Sequence, residues 1–107
     1  MLKEIKIGNK KIKIKYVQKI PGEKKDVLGV FDSGDRIIYI RKQDKNEQMY
    51  TLLHEIFHCI IWQKSMHNLL KPDMEEIMCD IFAESFIQLV NNGIDDLVRG
   101  IDNGKEK

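Results

Sequence analysis

Few of the features that mark secreted or membrane proteins occur in this 107-residue chain. It has two cysteines, too few for the disulfide framework of a small secreted domain, so we expect free thiols and a cytoplasmic location. The first 15 residues are charged throughout, which argues against a signal peptide, and no apolar stretch approaches the roughly 20 residues that span a bilayer. At this length we expect one domain, spanning residues 1–107.

Neither sign of charge dominates, since 18 basic and 17 acidic residues give a net charge of +1. The charges are unevenly spread, because residues 1–25 hold nine lysines and two glutamates, a local excess of +7 that leaves −6 for the rest. A basic segment of this kind fits either a nucleic-acid-binding face or outward lysines that protect an exposed strand from aggregation. Strict alternation without arginine or interleaved aromatic residues favours the second interpretation, so we do not expect nucleic acid as a partner.

What the chain does contain is the run His-Glu-Ile-Phe-His at residues 54–58, an H-E-x-x-H motif. On a helix, residues four apart share one face, about 5–6 Å apart at Cβ, so His54 and His58 can bind one metal ion. Glu55 then lies within reach of a water molecule on that ion. Two imidazoles, a carboxylate and an open position are typical of a hydrolytic zinc site. The alternative is two core histidines that bind nothing.

The motif needs a helix, and residues 44–64 predict one. Asp44 followed by Glu47 is an N-cap and capping-box signature. Apolar residues lie on nearly every side of this helix, which predicts that it is largely buried. Histidines and a glutamate in such a helix need partners, because unpaired buried polar groups are costly, and a metal ion would supply them.

A third histidine downstream is missing, since position 61 is Ile61 and position 64 is Lys64. Their presence excludes the metzincin pattern. The next acidic cluster lies on a second predicted helix, residues 73–92, with Pro72 at its start and Gly93 as its stop signal.

Glu76 and Asp80 lie four residues apart on one face of this second helix, where the small Ala83 permits close helix approach. We predict Glu76 as the third metal ligand, and Asp80 as the acceptor of a hydrogen bond from the other ring nitrogen of a ligand histidine. Glu75 competes for the ligand role but lies on a mostly apolar line. Cys79 is a further alternative that is less well directed than Glu76.

These residues resemble the gluzincin arrangement of zinc peptidases, and the small size resembles the minimal single-domain gluzincins. Together with the preceding segment, they resemble the ImmA/IrrE family of metallopeptidases. The resemblance covers residues 28–90, through stretches 28–31, 35–40, 50–58 and 76–83. It implies zinc bound by His54, His58 and Glu76, with Glu55 as general base. It also implies peptidase activity, which in some family members is directed at a phage or mobile-element repressor.

The chemistry implied is zinc-dependent hydrolysis of a peptide bond in a specific protein target. Zinc lowers the pKa of a bound water towards about 7, and Glu55 takes up and returns the proton. A second donor to the oxyanion would help, and Tyr50, Tyr39 and His67 are open candidates. The alternative function is a non-catalytic metal-binding domain that interacts with a protein partner. An intact Glu55 favours the enzyme, because a structural zinc site needs no base.

Residues 1–42 are predicted to be mainly strands. Residues 11–16 alternate, with Ile12, Ile14 and Tyr16 facing inward, and residues 27–31 and 36–41 suit a hairpin. We therefore expect an α+β fold: a small antiparallel sheet of three to four strands, followed by the two long helices. Residues 36–40 are our candidate for an edge strand that pairs with an extended substrate.

The chain ends in a polar segment with one more amphipathic pattern. Residues 94–102 predict a short helix, and the end beyond it should fray. Three acidic residues, Asp95, Asp96 and Asp102, weakly support a tail that folds over the cleft and keeps the enzyme latent.

Overall fold

The computed structural model describes residues 3–66 and 68–102 of the chain and shows an α+β fold, as predicted. Four strands come first and three helices follow, the last of them short. The strands are β1 (Glu4–Ile7), β2 (Lys10–Val17), β3 (Gly29–Asp32) and β4 (Ile37–Arg41), and the helices are α1 (Lys45–Gln63), α2 (Pro72–Asn91) and α3 (Ile94–Asp102).

The sheet has the strand order β1-β2-β4-β3 and is mixed. The β1–β2 and β3–β4 pairs are antiparallel, but β2 and β4 run parallel, so the expectation of an antiparallel sheet was wrong for this central pair. The physical reason is the long connection after β2, which carries the chain past the position of β4 to the outer strand β3. The β3–β4 hairpin then returns β4 alongside β2.

The edge strand beside the helices is therefore β3. The prediction that residues 36–40 form an edge was wrong, because β4 is hydrogen-bonded to β2 on one side and to β3 on the other. An edge strand has backbone groups without a partner in the sheet, so the place for an added strand moves to residues 29–32.

The core lies between the sheet and α1. Alternation along β2 is confirmed: Ile12 and Ile14 are buried and the intervening lysines are exposed. The core also contains Ile38 and Ile40 from β4 and Cys59 from α1. Side chains alternate between the two faces of a strand, so α1 covers the face that these isoleucines share.

Helix α1 begins as predicted, at the N-cap Asp44. The Asp44 side chain accepts a hydrogen bond from the backbone N–H of Glu47, at 3.0 Å from Oδ1. Helix α2 packs against α1 through the buried Cys79 and Ala83, and through Phe57 and Phe82, whose rings stack with centroids 4.5 Å apart. Within the described ranges, none of the three helices has the length and apolar character needed to cross a membrane.

Gly29 allows β3 to approach α1 closely. A Cβ atom at this position would lie 2.5 Å from Cγ2 of Thr51, and 3.3 Å from a carboxyl oxygen of Glu55. Contacts this short cannot form without a shift of β3 away from the helix. The absence of a side chain at Gly29 therefore sets the distance between the edge strand and the H-E-x-x-H residues.

We expect Gly29→Ala to lower the free energy of unfolding by about 1–3 kcal/mol, the usual cost of overpacking. Thr51→Ser removes the methyl group nearest to the added Cβ, so the double variant should regain part of that loss. Gly100→Ala is the matched control, because a Cβ there meets nothing within 4 Å. Urea denaturation of the wild type, Gly29→Ala, Thr51→Ser, the double variant and Gly100→Ala gives the five free energies of unfolding. A Gly29→Ala variant as stable as Gly100→Ala would show that the close approach does not constrain the fold.

Candidate metal centre

His54, His58 and Glu76 are brought together between α1 and α2. The Nε2 atoms of the two histidines lie 3.1 Å apart. Glu76 places one carboxylate oxygen 3.1 Å from Nε2 of His54 and the other 2.8 Å from Nε2 of His58. The three predicted ligands therefore converge on one point. They come from two helices, and 18 residues of sequence separate His58 from Glu76.

The outer ring nitrogens contact two other carboxylates. Nδ1 of His54 lies 2.8 Å from Oδ1 of Asp80, which is the contact predicted for Asp80. Nδ1 of His58 lies 2.5 Å from Oε2 of Glu75. An ionised carboxylate can only accept a hydrogen bond, so each Nδ1 carries the proton and donates. In the neutral imidazole, Nε2 is then left as an acceptor.

Three acceptors thus face one another at the centre of the site, two imidazole Nε2 atoms and the Glu76 carboxylate. Acceptors at 2.8–3.1 Å repel one another unless a cation or a proton lies between them. Bonds of about 2.0–2.1 Å to a tetrahedral zinc ion would put the ligand atoms about 3.3 Å apart. The donor set and its spacing therefore fit a metal ion.

Cys79 is a second candidate for the third ligand. His54, His58 and Cys79 form a group that could hold a metal ion, since one ligand atom of each lies within 4.8 Å of the others. Its thiol is fully buried, and burial together with the nearby Glu76 raises its pKa to about 12. The Cys79 thiol would have to lose its proton to bind a metal ion. Glu76 contacts both Nε2 atoms, at 3.1 and 2.8 Å, so it stays our first candidate for the third ligand and Cys79 the alternative.

Glu55 lies beside this group and is only 7% exposed. Burial raises the pKa of its carboxyl above the ordinary value of 4.5, while the nearby histidines and the backbone N–H of Phe31 oppose this shift. A carboxylate whose pKa is raised is a better proton acceptor than an exposed carboxylate. Its environment therefore suits the general-base role predicted for it.

An open cleft runs past the site between β3, α1 and α2. It consists of three adjoining hollows of about 430, 250 and 310 Å³. The first two share Gly29, Glu55 and Glu76, so the candidate metal centre lies where they meet. The other residues that line the first hollow are Val30, Phe31, Ser33, His58, Trp62 and Glu75. Those of the second are Leu28, Tyr50, Thr51, His54 and Asp80. The third hollow is lined by Leu28, Gln43, Asn46, Glu47, Tyr50, Thr51 and Ile87.

The free edge of β3 faces this cleft. The backbone N–H of Arg41 donates to the carbonyl oxygen of Leu28 at 2.8 Å, which makes these two residues a hydrogen-bonded pair. Such pairs alternate along an antiparallel ladder, so Gly29 and Phe31 direct their backbone groups to the opposite side. The hydrogen bond from Phe31 N–H to Glu55 agrees with this direction. An extended peptide could therefore pair with β3 directly beside Glu55.

The three candidate oxyanion donors are not equivalent in the structure. Tyr50 lines the cleft, but its hydroxyl donates to Oδ1 of Asp80 at 2.8 Å, and burial and this contact raise the pKa of Tyr50 to about 12. Tyr39 lies on β4 between Ile38 and Ile40, so it points to the sheet face opposite α1. His67 lies outside the described residues. Tyr50 therefore forms a hydrogen-bonded chain with Asp80 and His54.

The contact between Glu75 and His58 was not predicted from the sequence, because Glu75 shares its side of the helix with mostly apolar residues. In the structure, Glu75 engages His58 as Asp80 engages His54. The available signal was the pair of acidic residues on the two sides of Glu76, matching two histidines that each have an outer nitrogen to satisfy.

The latent-tail hypothesis concerns residues near and beyond α3. Asp95 and Asp96 lie within 3.7 and 3.6 Å of Arg99 on their own helix. No α3 residue with a described side chain lines the cleft. The end of the tail, residues 103–107, and the side chain of Asp102 lie outside the described part of the chain, so the hypothesis stays a prediction.

Comparisons with protein-family models, with curated proteins and with solved structures find no match to this chain. The proposal of a function therefore rests on the residues that meet at the cleft.

We expect Asp80→Asn to weaken metal binding by about 10- to 100-fold, because the amide no longer offers an ionised acceptor that orients His54. Tyr50→Phe should weaken it less, since it removes only the hydroxyl that holds Asp80. Competition with a chromophoric chelator measures both affinities. Asp95→Asn on α3 is the matched control and should bind as the wild type does. An unchanged affinity in Asp80→Asn would contradict the orienting role.

Proposed function

We propose that this protein is a zinc-dependent endopeptidase that cleaves an extended segment of a specific protein target. One observation carries the proposal: three acceptor groups converge next to a buried glutamate, at the free edge of a strand. The first feature supports metal binding, the second proton transfer and the third the binding of a peptide backbone.

Zinc is the metal that this donor set suits best. Two imidazoles and one carboxylate are the protein ligands of several zinc hydrolases, and they leave one position open. His54, His58 and Glu76 would hold the ion. When bound, zinc would polarise the scissile carbonyl and make water a better nucleophile at neutral pH.

The protein's own groups perform the remaining tasks. Glu55 accepts a proton from the attacking water and later gives it to the leaving amine. The Phe31 N–H fixes the Glu55 carboxyl in the cleft. Asp80 and Glu75 hold the two histidines in the tautomer that leaves both Nε2 atoms unprotonated. The backbone of Gly29 and the carbonyl oxygen of Phe31 would align the substrate in an extended conformation across the site.

The resemblance to the ImmA/IrrE family supports the same assignment. It implies zinc ligands at His54, His58 and Glu76 and a general base at Glu55. It also suggests a class of target, a regulator protein of a phage or mobile element. A reducing cytoplasmic location forms part of the proposal, and the two free, buried cysteines agree with it.

A second function, metal-dependent interaction with a protein partner without catalysis, is favoured by one observation. The side of α2 that faces away from α1 exposes Met74, Ile77 and Ile81, each more than half exposed. Apolar residues at this spacing form a stripe along a helix, as binding surfaces often do. The buried Glu55 gives the endopeptidase the stronger case, because a purely structural metal site has no use for a buried carboxyl beside its ligands.

We expect Glu55→Gln to retain the metal ion and to lower the rate of peptide cleavage by about 10²- to 10⁴-fold, the usual contribution of a general base. A complex mixture of peptides prepared by cleavage after glutamate, which keeps internal lysines and arginines, serves as the substrate, and mass spectrometry counts the new ends that appear. Glu23→Gln, on an exposed loop, is the matched control. Cleavage should stop on chelation and return with zinc.

Equal cleavage by wild type and Glu55→Gln would contradict the proposed mechanism. If the wild type binds stoichiometric zinc but cleaves no peptide or partner, the endopeptidase proposal is contradicted. Metal-dependent interaction with a protein partner would then be the remaining function.

A further inference from the structure

The cleft is lined by one sign of charge. Five carboxylate residues contribute to its lining, and in the part of the chain that the structure describes no lysine or arginine does so. The carboxylates follow the whole length of the cleft, from the hollow beside Trp62 to the hollow at the start of α1. They are Glu47, Glu55, Glu75, Glu76 and Asp80.

Three lysines of β2 lie on the far side of the sheet, whereas Nζ of Lys10 is 5.9 Å from the centre of the Trp62 ring, which lines the first hollow. Lys11, Lys13 and Lys15 are exposed on β2 and point to the sheet face opposite Ile12 and Ile14, which face α1. The protein as a whole is nearly neutral, with a net charge of +1. The acidic cleft and the basic sheet face therefore arise because opposite charges lie on different sides of the protein, and not from an excess of one sign.

A bound metal ion does not reverse the sign of the cleft. The four carboxylates of Glu55, Glu75, Glu76 and Asp80 outnumber the two positive charges of a divalent ion. Those of Glu76 and Asp80 are accessible, because their side chains are 60% and 53% exposed. A cleft lined by one sign of charge attracts ligands of the opposite sign and raises their rate of association.

We propose that the cleft selects extended peptide segments rich in lysine and arginine. This inference rests on the proposed function and adds the chemical class of its substrate. The backbone of the segment would pair with Gly29 and with the carbonyl oxygen of Phe31 at the free edge of β3. Its basic side chains would then reach the carboxylates of α2 on one side of the site, and Glu47 at the far end of the cleft.

The test compares two labelled peptides that differ in charge alone. Both have the same apolar centre, flanked on each side by lysines in one peptide and by glutamates in the other. Fluorescence anisotropy measures their binding to zinc-loaded Glu55→Gln, in which cleavage is expected to be slow. We expect the basic peptide to bind about tenfold tighter or better, and its affinity to fall steeply with added salt.

A charge-reversal pair locates the effect. Glu47→Lys should weaken binding of the basic peptide several-fold, whereas Glu23→Lys, which makes the same change in net charge on an exposed loop, should not. Thermal unfolding checks that both variants remain folded. Equal affinity for the two peptides, or equal effects of the two substitutions, would overturn the inference.

The outcomes separate this inference from the proposed function. Preferential binding of the basic peptide without any cleavage by the wild type would contradict the endopeptidase but keep the substrate class as a ligand class. Cleavage without a preference for basic peptides would contradict the substrate class alone.

Discussion

The constraint on which this structure depends is the meeting of three hydrogen-bond acceptors at one point. Asp80 and Glu75 each accept a hydrogen bond from an outer ring nitrogen, so both inner nitrogens face the Glu76 carboxylate without a donor among them. Such an arrangement is unfavourable in a partly buried site unless a cation joins the group. The packing of α2 on α1 maintains it, because the carboxylates and the histidines come from different helices.

The rest of the fold serves to place a base and a peptide-binding edge beside this point. Helix α1 is fixed on the sheet through Cys59 and the isoleucines of β2 and β4. The missing side chain at Gly29 brings β3 against the same helix, and Glu55 is buried in the contact. Desolvation of this carboxyl is unfavourable for folding, but it also raises the pKa of Glu55. The close approach of β3 therefore makes Glu55 a better proton acceptor.

Local sequence patterns predicted the parts of the site that local structure determines. The four-residue spacing of His54 and His58, and of Glu76 and Asp80, required only that each segment be helical, and the Asp44 cap and Pro72 indicated where those helices begin. The alternation of β2 identified its buried face in the same way. These features depend on neighbours within one or two turns or along one strand.

The features that sequence patterns could not supply are contacts between distant segments. Nothing in the alternation of β2 says that β4 pairs with it in parallel, or that β3 rather than β4 becomes the edge. The partnership of Glu75 with His58 likewise depends on how α2 is rotated against α1. Rotation and strand order are set by packing of the whole chain, so they became visible only in the structure.

We propose that His54, His58 and Glu76 bind one metal ion, and the metal content of the purified protein is the test of this proposal. Elemental analysis of protein purified without chelator should find about one zinc per chain in the wild type and in Cys79→Ala, and little in Glu76→Ala. Absence of stoichiometric metal from the wild type, even after zinc is added back, would contradict the claim. Loss of zinc from Cys79→Ala but not from Glu76→Ala would instead identify the thiolate as the third ligand.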